Sequence, residues 1–452
     1  MNTTGRILIN DVEKPYARLA YNSKHWNIQA NWSRRNAMSP HIVMSATATS
    51  SERSDVAVVD AQWNDSFMDD KLKVIGGVSH EYQHVNTSTV GATPLLSPDN
   101  LHNNFSGLYG QIEYKLMDNL QLVGAARFDR STFFESQFSP KGGLVYTPFE
   151  NHTFRATVNR SFLRPSYGDK FRRSVVGGLP PTVNLARFDS IISAQTGVAK
   201  LNLPSITPQV LFLGNPNIGV ETALSYEIGY KGIISKNLYV TVDAYWNNRS
   251  NFISQALGGL APEYFTPIRY GNVQADSMMR AMIGAATYDR YSGLSLDVET
   301  GRPALSITPT NIGLINEYGL ELGVNYYATT NILLSANYAH LDYSIVENKV
   351  TAQKIVPNTS PDRLNLGIQY EERGQFDAGL SIRGVKGFEW VAGTVQGSVP
   401  EYWVVNFNGS YNITKDLRIG VNIFNLLDRA HYEIFGGTIL RRYGTAEASF
   451  TF

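Results

Sequence analysis

The residues of this chain whose types and spacing could do chemistry are a histidine–glutamate cluster and a run of arginines. His80-Glu81-Tyr82-Gln83-His84 follows the order H-E-x-x-H. On a helix that order sets two imidazoles on one face about a turn apart, where they hold zinc beside a general base. The preceding run, Val74 to Ser79, is rich in β-formers and broken by two glycines, so it opens no helix. On a strand the two rings stand ~13 Å apart at about 3.3 Å per residue and cannot share one zinc. The segment is therefore expected to bind no metal and to form a His/Tyr cluster at a rim. The second group is Arg164, Lys170, Arg172, Arg173, Arg187 and Lys200, set against Asp169 and Asp189 between residues 164 and 220, a net charge of +4. Guanidinium forks offer bidentate contacts to an anion, and a basic loop raises its rate of encounter. Arg164, Arg172, Arg173 and Arg187 are the candidate ligand-binding residues. The same charge could be solvated, pair with lipid phosphates, or, at Arg172 and Arg173, serve the fold.

Other chemistry is thinly represented. The chain has no cysteine, which excludes disulfides, thiolate metal sites and cysteine nucleophiles. No paired carboxylates, Ser–His–Asp set or phosphate-cradling loop stands out. No catalysis and no cofactor are expected. The 452 residues carry 39 basic and 39 acidic side chains, and that balance argues against nucleic acid as a partner.

The elements that must position these residues read as strands. From Glu317, the side chains of Tyr318, Leu320, Leu322, Val324 and Tyr326 share one face, opposite Glu317, Gly319, Glu321, Gly323 and Asn325. The same period of two recurs at Tyr226–Tyr230, Trp26–Trp32, Leu364–Tyr370, Phe376–Ile382 and Leu417–Ile423, the signature of half-buried strands. The apolar faces begin or end in aromatic residues, as at a membrane interface. Short connections (Asn22–Lys24, Asp69–Lys71, Met117–Asn119, Phe149–Asn151, Ile234–Lys236, Thr329–Asn331, Glu372–Gly374, Thr414–Lys415) alternate with long ones (36–55, 86–103, 165–221, 250–316, 344–360, 388–399). Strands of roughly ten residues with short turns on one rim and long loops on the other describe a transmembrane barrel. No apolar run approaches the ~18 residues of a membrane helix, and barrel strands need none.

Counting by alternation gives 17 strands, near 16–22, 25–35, 56–67, 71–85, 104–115, 120–131, 138–147, 152–162, 222–232, 237–249, 317–328, 331–343, 361–371, 375–387, 400–412, 416–424 and 439–452. Bacterial single-chain barrels have even counts, so residues 5–10 could be the remnant of one more. The N-terminus does not read as a signal peptide, which suggests a longer gene product. The fold class is all-β: a large antiparallel transmembrane barrel with long extracellular loops. Inward charges at Glu227, Lys231, Glu321, Arg363, Asp377 and Arg383 could line a path or simply pair within a polar wall.

Three segments resemble the C-terminal barrel of TonB-dependent receptors. Ser139, Pro140, Lys141, Arg160, Ser161, Arg164, Pro165 and Ser166 match a strand pair of the form SPK…L.Y.P and R.S.RAPS. Gly214, Asn215, Pro216, Glu221, Tyr226, Glu227, Gly229 and Lys231 match GNP.L.PE.S..YE.GYK, with Val220 where the family has proline. Asn422, Phe424, Asn425, Leu426, Asp428 and Tyr432 match N.FNL.D..Y, before a last strand closing on Phe452.

The resemblance implies a monomeric outer-membrane receptor, in contact with lipid and lipopolysaccharide, for energy-coupled uptake of a scarce nutrient. A ferric siderophore is the foremost ligand; haem, cobalamin or a saccharide are others. In the family, outer loops capture the ligand, and the TonB energy-transduction complex acts on an N-terminal plug through a coupling box. Residues 1–452 show neither, and match an incomplete 22-stranded barrel lacking about five strands. The family's last strand ends in the periplasm, which places residues 165–221 and 250–316 outside. A passive porin-like channel and a barrel-based adhesin are the alternatives; the three segments weigh against both.

Overall fold

The computed structural model describes residues 7–43, 48–88, 95–96, 98–258, 265–348, 355–372, 374–392 and 395–451. Phe452 lies outside them.

Seventeen long strands make the wall. They are β1 (Tyr16–Asn22), β2 (Trp26–Ala37), β3 (Arg53–Phe67), β4 (Leu72–Asn86), β5 (Asn100–Met117), β6 (Leu120–Ser131), β7 (Gln137–Phe149), β8 (His152–Leu163), β9 (Glu221–Ser235), β10 (Leu238–Ser250), β11 (Gly313–Tyr327), β12 (Ile332–Asn348), β13 (Asp362–Glu372), β14 (Phe376–Val385), β15 (Tyr402–Asn412), β16 (Leu417–Phe424) and β17 (Tyr443–Phe450). All 17 strands read from the alternation are present; β1 and β6 have the expected bounds. Each pairs antiparallel with its sequence neighbours, and Val12–Glu13 adds a short piece on β2, so that the sheet curls into an eighteen-strand barrel. Among the described residues no backbone ladder joins β1 to β17, and both are exposed along their whole length. The expectation for residues 5–10 is corrected: Ile7–Leu8 pairs with His41–Val43 in a separate small sheet and adds nothing to the wall.

The wall is polar inside and apolar outside. Residues opposite one another in a ladder share a face, so the register carries Leu322 from Val242 to Tyr338 along one outer row. Leu108 is 61% and Ile228 65% exposed in the isolated chain, fractions that fit a lipid-facing surface. The eight connections at one end have two to four residues; those at the other include the long loops, together with a tight one at 132–136.

Two of these loops are not loops in structure. The described residues of 164–220 and 251–312 fold together into a cap that the alternation did not anticipate. It contains α1 (Tyr167–Phe171), α2 (Leu185–Thr196), α3 (Val273–Ile283), α4 (Ala285–Arg290) and a mixed sheet that includes Arg173–Gly178, Gln209–Leu213, Ser295–Asp297 and Pro303–Thr308. Gln209–Phe212 runs parallel to Ala304–Ile307. Both segments contribute to one apolar core, in which Leu185, Ile192, Leu294 and Leu305 are fully buried. Burial of that kind, at about 25 cal/mol per Å², lets the cap hold a shape of its own.

Candidate functional site

The site is the long-loop end, and the segments with the most specific sequence pattern build its foundation. After β8 the chain turns at buried Pro165 into Ser166, which caps α1 reciprocally: Asp169 N donates to Ser166 Oγ (3.1 Å) and Ser166 N to Asp169 Oδ2 (2.7 Å). Gly214 lies flush against that short helix. A Cβ there would come 2.5 Å from the Phe171 nitrogen, a contact only glycine avoids. Gly214 N donates to Arg172 O and Asn215 N to Asp169 O, both at 2.6 Å, and Lys170 Nζ reaches Pro216 O at 3.3 Å. Glu221, 2% exposed, closes the clasp from β9: it accepts from Ile253 N at 3.0 Å and pairs with Arg249 at 2.9 Å, which also holds Glu317 at 2.8 Å. The two segments thus tie both halves of the cap to the wall.

The remaining pattern residues explain themselves on the wall. Glu227 and Gly229 face inward. Arg155 bridges Glu227 and Asp243, and a Cβ at Gly229 would occupy the space where Arg155 and Asp243 meet. Tyr226 stacks outward on Trp246 at 5.4 Å. Arg160 points outward, donating to Phe138 O and to Gln137 Oε1. Asn425 takes a left-handed turn (φ 54°), donates through its backbone to Asn406 Oδ1 and holds Arg429 by two hydrogen bonds, while Phe424 stacks on Tyr443 at 4.6 Å. Of the inward charges, Asp377 pairs with Arg418 and Arg383 with Glu433.

The four candidate ligand arginines do not converge. Arg164 lies over the Phe105 ring at 4.2 Å and reaches Glu81 at 3.2 Å. Arg172 lies over Phe212 at 4.4 Å and donates to Ser174 Oγ; burial, opposed by Asp169, pushes its pKa down to about 10, so it stays charged. Arg173 bridges Asp297 at 2.5 Å and Glu299 at 2.7 Å. Arg187 stands apart in the first turn of α2. Three of the four thus have protein partners, and those of Arg164 and Arg173 lie outside the residues 164–220 over which charge was counted.

What the loops do bring together is a cavity of about 910 Å³ beside the cap sheet, bordered by Arg173, Gln209, Asp297, Thr300 and Arg302 on one side and Pro98 and Asp99 on the other. Its size suits a small molecule, and its charges are mixed. A second grouping, Phe105, Phe133, Phe134, Tyr167 and Phe171 with Arg164 and Lys170 over the rings, packs α1 onto β5 and the 132–136 turn. These features were missed in sequence, where a residue was read only against its own strand.

The H-E-x-x-H segment lies inside β4. Both histidines face outward: His80 bonds Ser106 Oγ at 2.9 Å, and His84 bonds Asn100 and stacks on His102 at 4.4 Å. Among the described residues no group of three or more acidic or histidine side chains is arranged to hold a metal ion.

The family model described as TonB dependent receptor-like, beta-barrel matches residues 8–426. No curated protein matches the chain. Among solved structures it is similar to the siderophore receptor PirA of Acinetobacter baumannii (TM-score 0.66, 12% identity, covering 98% of this chain and 62% of that one). It is also similar to the copper transporter OprC (0.64, 14%, 98% and 64%) and to the FrpB iron transporter of Neisseria meningitidis (0.61, 11%, 96% and 63%). At these identities the likeness is one of fold. The chain spans about three fifths of the length of these proteins.

Proposed function

The chain belongs to the TonB-dependent receptor β-barrel family, a non-enzymatic family of the Gram-negative outer membrane, and from that premise we propose that it is the ligand-capturing barrel of an energy-coupled importer whose cargo is a ferric siderophore. The observation that carries this reading is the cap. A passive channel needs an open mouth, whereas here the two longest connections fold around a common core and border a cavity of about 910 Å³. In this reading the long-loop end faces the medium, the short turns face the periplasm, and residues 165–221 and 250–316 meet the ligand. The polar inner wall, with its Arg155–Glu227–Asp243 network, offers a plug a surface to seal against. The receptor works as a monomer. Because Arg164, Arg172 and Arg173 are engaged within the protein, attraction of an anionic ligand falls to Arg187 and Arg302.

The test uses cells stripped of their own ferric-siderophore receptors and carrying the full-length gene. Radiolabelled iron should enter as the siderophore complex, stop when the inner-membrane gradient is collapsed, and be lost on deletion of residues 165–221 although the barrel still inserts. Entry that survives collapse of the gradient would make the protein a passive channel.

A further inference from the structure

Beyond capture of a ligand at its mouth, the barrel holds one buried histidine without a partner. The chain has eight histidines, and seven of them carry a hydrogen bond on the ring. His41 does not. It is 5% exposed, and neither ring nitrogen has a partner or reaches solvent. Ser50, its ladder partner, is also buried, and the next residue, Ser51, is buried with an unpartnered hydroxyl. Buried polar groups are normally paired, and an orphan costs free energy.

His41 opens a hairpin whose strands, His41–Val43 and Ala48–Ser50, pair over three positions and take Ile7–Leu8 as a third strand over two. Among the described residues no ladder joins this small sheet to the wall. The charged groups that act on the His41 ring are Arg35 of β2 and Glu52, just before β3; Ile7–Leu8 brings none. Arg35 lies opposite Ser54, on the polar face that Asn31 and Ser33 share, so the hairpin is docked on the inner rim of the long-loop end. Arg35 Nε stands 3.4 Å from Glu52 Oε2 without a hydrogen bond, and Glu52 Oε1 accepts from Ser54 Oγ at 2.7 Å. An imidazolium formed here would face a guanidinium and compete with it for the one carboxylate. Burial first, then Arg35, push the pKa of the ring down, and Glu52 opposes them.

We propose that this hairpin is an acid-released latch, freed from the inner rim when His41 takes up a proton. The ring is neutral while docked, and a proton favours the state in which water can solvate the charge. The docked pKa lies below that of a free imidazole, about 6.5, so docking is at full strength above that value and weakens as pH falls below it. Between about pH 7.5 and pH 5 the ratio of released to docked hairpin can rise at most about thirtyfold, the limit for a ring that is protonated only when released. Release bares Arg35 and Glu52, so acidity changes the charge presented at the mouth.

The chain has no cysteine, so a single introduced one can carry a spin label. Ile42→Cys places it on the hairpin, at a side chain 41% exposed. Ser190→Cys places it on the exposed side of α2 as a control. With the full chain in phosphatidylcholine nanodiscs, the mobile fraction of the Ile42→Cys spectrum should grow at least about fivefold from about pH 7.5 to pH 5 and return on neutralisation, within the limit set by linkage. The control spectrum should not change. In the Ile42→Cys background, His41→Leu puts a side chain that cannot titrate into the same slot and should keep the label immobile throughout. Arg35→Gln removes the repulsion and should shrink the acid response. Heat-modifiable gel mobility at both pH values reports whether the barrel is folded. An unchanged hairpin spectrum in the folded protein overturns the proposal. So does an acid response left intact by both His41→Leu and Arg35→Gln, or one shared by the control label. The measurement needs no ligand, so its outcome is independent of the cargo.

Discussion

The barrel wall and the cap are built by opposite rules. The wall turns apolar side chains outward to lipid and holds its shape with ladders between strands adjacent in sequence. The cap turns them inward, and its decisive bonds reach far along the chain: Tyr270 to Asp189 spans 81 residues, Asn311 to Gly219 spans 92 and Arg173 to Asp297 spans 124. The wall depends on the membrane for its apolar surface; the cap carries its own core into water. A substitution therefore has its effect through the lipid in one region and through buried polar pairing in the other.

The largest contrast is expected at neighbouring residues of β11. Leu322 lies in the outer apolar row, so Leu322→Arg should destabilise the barrel by ~2–4 kcal/mol if it sits near the bilayer midplane. Glu321 is on the polar face, and Glu321→Arg should cost far less. Folding titrations in lipid vesicles compare the two; similar costs would remove the distinction between the faces of the wall.

A smaller and more local effect is expected from Asp189, which is 2% exposed and accepts hydrogen bonds from Leu201 N, Leu203 N and Tyr270 Oη. Asp189→Ala leaves these donors without their acceptor. The loss should be about 2–3 kcal/mol, at the upper end of the range for unsatisfied buried groups. Hydrogen exchange should quicken across residues 185–213 and 270–283 and stay slow in β9–β12. Quickening throughout the wall would mean that the cap is not an independent unit.

The mildest perturbation is pH. Burial pushes the Asp189 carboxyl up, but hydrogen bonds from Leu201, Tyr270, Leu203 and Asn202 outweigh it, and its pKa lies below the usual carboxylate value. The stability it lends the cap is therefore present above about pH 4 and is lost as pH falls through the lower folded value. Tyr270 is raised by burial and by Asp189. Its contribution is full below about pH 10 and is lost as pH rises through the folded value. Limited proteolysis should find residues 164–220 most resistant between those limits. Equal cutting at pH 3 and pH 7 would detach the Asp189–Tyr270 bond from the stability of the cap.

The sequence showed the wall because period two repeats the same decision along every strand, so that a local pattern reports a global surface. Even β17 emerged, though as 439–452 where the strand is Tyr443–Phe450. The cap was read as loop although its helices carry ordinary signals. Asn184 caps α2 and Gly197 ends it left-handed, with Leu185, Phe188 and Ile192 on the buried side. Asn272 caps α3, with Ala275, Met279 and Ile283 at intervals of four. Those signals speak for helices, not for what the helices pack against. The arginines at 172 and 173 were legible as charge, but their partners Ser174, Phe212, Asp297 and Glu299 were not. Arg173 reaches its carboxylates across more than a hundred residues, a pairing that leaves no periodic trace. The pattern residues Gly214 and Glu221 were legible by resemblance, and only the backbone contact with α1 and the bond to Arg249 gave them a physical reason.

The exposed edges of β1 and β17 have a consequence in the arithmetic of direction. Seventeen strands, each antiparallel to the one before, leave the first and the last pointing the same way. The two edges could meet each other only in a parallel seam. A strand laid antiparallel on β1 and another laid antiparallel on β17 would again point alike, so an all-antiparallel seam takes an odd number of strands. A hairpin contributes two strands of opposite direction. One hairpin can extend either edge of this sheet, but no number of hairpins alone can bridge both.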